Sequence, residues 1–156
     1  MGGRRDEEEK VVASNRKARH DYELLEHFEC GIVLTGDEVK SLRGGRASLT
    51  DCYGRLHGGE LWLEGLHIPP YEQGNTATHQ PLRPRKLLLH RREIDKLTVL
   101  LAERGLALVP LRVYFLHGLA KVEVAVAKGK RRHEKRQAIA TRDAQREIER
   151  AAGRRR

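Results

Sequence analysis

With 156 residues and 38% apolar side chains, the chain can build one ordinary domain around a single core, with short extensions. Cys30 and Cys52 make neither a disulfide framework nor a C-x-x-C pair, and no apolar run suits a secretory signal or a spanning helix, so a soluble cytoplasmic protein is expected, with no membrane partner. The formal charge of +9 sits almost wholly at one end: Lys128 to Arg156 carries twelve Lys or Arg against four Asp or Glu, while the body is nearly neutral.

In chain order, Met1 to Lys10 mixes both signs with almost no apolar side chains, and residues 1–13 are expected to form a disordered N-terminus. The folded body is expected over 14–128. Between Tyr22 and Leu34, apolar residues alternate imperfectly with Glu and His, the pattern of a half-buried strand that bends near Gly31. Thr35-Gly36-Asp37-Glu38 follows as a capping box, with Leu34 and Val39 as its hydrophobic staple. The helix it opens should bury Val39 and Leu42 and stop at Gly44-Gly45.

Leu49 to Ile68 reads as a hairpin turning at His57-Gly58-Gly59-Glu60, with glycines inside both arms that suggest sharp curvature. Residues 69–85 are rich in proline and polar groups and are too long for a mere connection. From Arg91 to Arg104, Ile94, Leu97 and Leu101 recur at helical spacing, and Gly105 ends the pattern. Leu106 to Phe115 and Ala120 to Ala127 form a second hairpin across His117-Gly118. Five or six curved strands with two short helices predict a mainly β fold, a small Greek-key barrel. Past Gly129, the stripe Ala140, Ala144, Ile148 and Ala151 has helical spacing but little area to bury, so the tail over 129–156 should be unfolded in isolation.

The eight histidines do not stand at the spacing of a zinc site, and the chain lacks G-x-S-x-G, a Walker loop and G-x-G-x-x-G. No catalytic constellation, metal site or cofactor is predicted. A polyanion partner has more support, because three basic segments flank or interrupt the barrel: Arg16 to His20, Arg83 to Arg92, and the tail. Phe28, Phe115, Trp62, Tyr22, Tyr53, Tyr71 and Tyr114 are few for a binder that stacks successive bases. Structured RNA, read through phosphates, shape and 2′-hydroxyls, suits the composition better. An RNA-processing enzyme such as a nuclease, and a general barrel-type translation protein, are the alternatives.

Four strings carry a further signal: Asn15-Arg16-Lys17-Ala18-Arg19-His20; Gly31 through Arg43 (GIVLTGDEVKSLR); Arg85 through Asp95 (RKLLLHRREID); and Val126-Ala127-Lys128-Gly129-Lys130. In this order, over about residues 14–150, the chain resembles the SsrA-binding protein family, the bacterial partner of transfer-messenger RNA. The resemblance implies an oligonucleotide-binding (OB-like) barrel, a non-enzymatic adaptor that grips the tRNA-like part of that RNA and brings it to stalled ribosomes in trans-translation. A monomer is expected, with elongation factor Tu as a further partner on the same RNA.

On this resemblance the RNA-binding residues are Asn15, Lys17, Arg19, His20, Glu29, Arg85, Lys86, Leu88 and His90. Lys17, Arg19, Arg85 and Lys86 would neutralise phosphates, and Glu29 would accept a hydrogen bond from RNA or orient a basic neighbour. Leu88 reads equally well as core. The tail, with Lys130, Arg131, Arg132, His133, Glu134, Lys135 and Arg136, would enter the empty messenger channel of the small subunit beside the decoding centre and become helical there. Glu134 stands where the family pattern has Asp.

Overall fold

In the computed structural model, residues 9–71 and 80–129 are described. They form ten elements: β1 (Glu9–Ser14), α1 (Arg16–Asp21), β2 (Tyr22–Ile32), α2 (Gly36–Arg43), β3 (Tyr53–His57), β4 (Glu60–Glu64), β5 (Arg85–Leu88), α3 (Arg91–Ala102), β6 (Leu106–Leu116) and β7 (Leu119–Gly129). The seven strands form one sheet in the order β1-β6-β3-β4-β5-β2-β7, and β7 returns to pair with β6. All pairings are antiparallel, so six strands make a nearly closed ring and β1 lies against the C-terminal half of β6.

Strand periodicity explains which residues fill the ring. On β7, Val122, Val124 and Val126 join Phe28 and Cys30 of β2, Leu61 and Leu63 of β4, Leu87 of β5 and Val113 and Phe115 of β6 in the main core. Leu42 of α2 and Leu97 of α3 complete it, both fully buried. The opposite face of the β6–β7 ribbon carries a second cluster, Val109, Leu111, Ala125 and Ala127, covered by Ala18 of α1. Cys30 and Cys52 are buried free thiols, each pushed up to about 12, chiefly by burial, and so act as small apolar residues.

Local chemistry sets the turns. Gly58-Gly59 and His117-Gly118 all hold positive φ, the two-residue turn whose twist matches antiparallel strands. Gly54 has a different reason: it pairs with Leu108 where β3 meets β6, and a Cβ there would stand 2.5 Å from Leu108 Cδ2. The α2 capping box forms as the sequence predicts, with Glu38 N–H donating to Thr35 Oγ1 at 3.3 Å and Thr35 N–H to Glu38 Oε1 at 2.9 Å.

Three expectations are corrected. Disorder over residues 1–13 does not hold for 9–13, which belong to β1 and pair with Val113 to Leu116 of β6. That long-range pairing, with Val12 and Ala13 packed on the core, outweighs the polar composition. Among the described residues there are three helices and not two, because the six residues Arg16 to Asp21, all polar but Ala18, make a helix that only tertiary contacts can hold. Among the described residues there are seven strands and not five or six, since β1 pairs with β6 and a short β5, starting where the proline-rich connection ends, enters between β4 and β2. The tail expectations for 130–156 lie outside the described residues.

Candidate nucleic-acid interface

A six-residue helix is too short to stand alone, so α1 is built by its ends and one contact. Asn15 Oδ1 accepts from Ala18 N–H at 3.2 Å, while its Nδ2 donates to Pro110 O at 3.1 Å and its backbone N–H to Leu111 O at 2.7 Å. One side chain therefore caps the helix and ties it to β6. Ala18 is the buried residue, and Arg16, Lys17, Arg19 and His20 are exposed. Three guanidinium or ammonium groups stand on two turns of helix, with Arg19 and His20 at its negative C-terminal end. His20 Nδ1 lies 3.3 Å from Asp21 Oδ1.

The register of β2 on β7 fixes what lies beside this helix. Ala127 and Ala125, under Ala18, oppose Leu24 and His27, and the next position outward pairs Glu29 with Glu123. Two opposed carboxylates repel unless neighbours neutralise them. Here Tyr114 Oη donates to Glu29 Oε2 at 2.5 Å, Arg112 Nε donates to Glu123 Oε2 at 3.1 Å, and His27 Nδ1 lies 3.4 Å from Glu123 Oε1. Arg112 also pairs with Glu9 of β1 and lies 4.2 Å from the centroid of the Tyr114 ring. Burial, then the Glu29 carboxylate, push the Tyr114 hydroxyl well above its ordinary range, so it stays a proton donor.

Beyond Glu29, Gly31 opposes Leu88 of β5. A Cβ at Gly31 would stand 3.3 Å from Leu88 Cβ, so the leucine lies over the glycine. Leu88 is nevertheless 49% exposed, which removes it from the core and leaves an apolar platform beside Glu29. His90 is exposed at the start of α3, its N–H donating to Glu93 Oε1 at 3.4 Å. Lys86 is half-exposed and reaches Glu60 Oε1 at 3.1 Å. Exposed pairs of this kind contribute about 0–1 kcal/mol, so the ammonium is open to exchange with a phosphate.

The expectation of an exposed Arg85 is corrected: the side chain is a fully buried cation. Its Nε donates to Glu38 Oε2 at 2.6 Å, Nη1 to Leu66 O at 2.5 Å and Arg83 O at 3.2 Å, and Nη2 to Pro81 O at 3.0 Å, with Glu38 Oε2 again at 2.5 Å. Arg83 adds a second guanidinium to the same carboxylate. Alone, burial would push the Glu38 carboxyl up, but the bonds from Arg83, the Thr35 N–H and Arg85 overcome it and hold the group below its usual range. The cluster fastens the two roots of the 69–84 connection to α2, helped by Ser41 Oγ donating to Pro69 O at 2.7 Å and Ile68 N–H to Pro81 O at 3.0 Å.

The structure thus brings Asn15, Lys17, Arg19 and His20 together on α1, sets Glu29 one register step away, and places Leu88 next to Glu29, with Lys86 two residues earlier on the same strand. Arg85 leaves the set, and the tail residues Lys130 to Arg136 lie outside the described part. Sequence reasoning missed His27, Arg112, Tyr114 and Glu123. The i, i+2 spacing of Arg112 with Tyr114 and of His27 with Glu29 was visible, but the register that joins them to Glu123 was not. Among the described residues no group of three or more His, Cys, Asp or Glu could hold a metal ion, and no helix is long and apolar enough to cross a membrane.

Comparison with known proteins identifies the family. The SsrA-binding protein of Salinispora arenicola (strain CNS-205) is 61% identical over 97% of this chain and 95% of its own length. That of Desulforudis audaxviator (strain MP104C) is 60% identical over 94% and 95%. A solved structure described as "tmRNA-SmpB: a journey to the center of the bacterial ribosome" matches with 51% identity and a TM-score of 0.64, covering 76% of this chain and 84% of that one. The family model described as SmpB protein matches residues 12–154, nearly the whole chain, and the chain belongs to that family.

Proposed function

We propose that this chain is the RNA-binding adaptor of trans-translation, acting with transfer-messenger RNA on ribosomes, and that it performs no catalysis. Its antiparallel ring is read as an OB-like Greek-key barrel whose outer β5–β2–β7 surface, with α1 at one end, holds the tRNA-like part of that RNA. Lys17, Arg19 and Lys86 neutralise phosphates, Asn15 holds α1 in place, His20 and His90 offer imidazoles at the two ends, and Leu88 packs against sugar or base. The observation that carries this reading is the seating of a cationic helix one register step from Glu29, which is itself followed by an exposed Leu88.

The chemistry fits structured RNA. Cations on a rigid helix meet phosphates, and each contact releases counterions. An acceptor and an apolar side chain then meet sugars or base edges, which phosphates alone cannot distinguish. The tail, Lys130 through Arg136 and beyond, is read as the element that probes the messenger channel: its cations pair with ribosomal RNA phosphates, His133 stacks on a base, and its alanine stripe becomes helical once repulsion is screened. Elongation factor Tu would occupy the same RNA, and the protein would act as a cytoplasmic monomer.

Truncation after Gly129 tests the division of labour. The shortened protein is expected to bind transfer-messenger RNA within about threefold of the full chain yet to give no tagging on ribosomes stalled at a message end. An equal loss of RNA binding would refute it.

A further inference from the structure

Glu29 poses a physical problem on the proposed RNA face. It is exposed, it directly opposes Glu123, and a phosphate-rich ligand approaches it. A free carboxylate in that position would swing away from both negative groups. Tyr114 of β6 prevents this by donating to Glu29 Oε2, while Arg112 of β6, itself paired with Glu9 of β1, and His27 of β2 take Glu123. The Arg112 guanidinium carbon also lies over the Tyr114 ring, 4.2 Å from its centroid, and so helps to hold that ring under Glu29. Tyr114 is only 1% exposed, so RNA cannot reach it directly.

We propose that Tyr114, with Arg112 on its ring, is a positioning residue that fixes Glu29 as an acceptor for a hydrogen-bond donor of the RNA. This rests on the RNA-face reading and deepens it. An ionised carboxylate only accepts, and with Oε2 occupied by the phenol its remaining lone pairs select N–H or O–H groups. The group that meets Glu29 is therefore a base amino or imino N–H or a 2′-hydroxyl, and never a phosphate. Glu29 thus supplies discrimination where Lys17 and Arg19 supply charge.

The test is a double-mutant cycle read by affinity for transfer-messenger RNA, with thermal melting as a fold control. Tyr114→Phe removes one oxygen and keeps the ring, and is expected to weaken binding roughly tenfold, the equivalent of about 1.4 kcal/mol. In a Glu29→Ala background the same change is expected to cost less than twofold, because the residue acts only through Glu29. Arg112→Lys, which keeps the charge but loses the guanidinium over the Tyr114 ring, should show a smaller loss that also vanishes in that background. Additive losses would mean that Tyr114 and Arg112 act on RNA binding by another route, and would overturn the proposal while Lys17→Ala and Arg19→Ala still weaken binding. If those two also left affinity unchanged, the RNA-face reading itself would fall. Substituting single 2′-hydroxyls by hydrogen in the RNA identifies the donor: loss of coupling to Glu29 at one sugar assigns a 2′-hydroxyl, and its retention at every sugar assigns a base N–H.

Discussion

The Glu38–Arg85 cluster yields a prediction that separates a structural cation from an RNA ligand. Arg85 is fully buried and all five of its N–H groups are directed at acceptors: Glu38 twice, and the carbonyls of Leu66, Arg83 and Pro81. Glu38→Ala strands that cation without its counter-charge in a buried site, and breaking a buried pair from one side costs about 3–5 kcal/mol. For a chain of this size that corresponds to a fall in Tm of roughly 6–20 °C. Arg85→Lys should be damaging too, since three ammonium donors cannot reproduce the planar fork. Glu38 adds a pH signature. Its folded-state carboxyl lies below the usual carboxylate range, so its contribution is complete above that range and is lost as pH falls through the lowered value. Glu38→Gln should therefore flatten the acid limb of stability against pH. The assay is thermal melting across acidic to neutral pH, paired with RNA titrations at a temperature where each variant is folded. Affinity and salt dependence should match the parent. An Arg85 variant with unchanged Tm but a salt slope reduced by about one unit would refute the reasoning and restore Arg85 as a phosphate ligand.

Other perturbations act on the face itself. Lys17→Ala and Arg19→Ala are each expected to leave the stability within about 0.5 kcal/mol of the parent and to reduce the slope of log affinity against log salt by about one unit, as measured by titration at several salt concentrations. Asn15→Ala removes both the α1 cap and the bond to Pro110 O, and should destabilise by about 0.5–2 kcal/mol while weakening RNA binding through displacement of α1; hydrogen exchange of the Ala18 amide is the local readout.

How much of this could be read from the chain depends on whether the information was local. The capping box at Thr35 and Glu38, the two glycine turns and the helix through Leu97 are set by neighbours within a few residues, and they stand where the sequence puts them. The second role of Glu38, as the buried partner of two arginines some 45 residues away, has no local mark. Arg85 and Lys86 illustrate the same limit. Period two says that they face opposite ways, but only the pairing of β5 with β4 and β2 decides that Arg85 joins Leu87 inside while Lys86 joins Leu88 outside. The helix at Arg16 to Asp21 failed to declare itself because its stability lies in Asn15 and Ala18 and not in an apolar stripe. The string that begins at Arg85 set that residue among the phosphate ligands, and only the register of β5 shows that its side chain is buried.

The most direct test of the RNA face is an amide and methyl NMR titration of the protein with the tRNA-like part of transfer-messenger RNA. Shifts and broadening should concentrate on α1, on His27 to Gly31 of β2 and on Leu88 to His90, with little change at Arg55, Leu61 or Trp62 of the β3–β4 hairpin. Perturbation centred on that hairpin, with α1 and Glu29 silent, would contradict it.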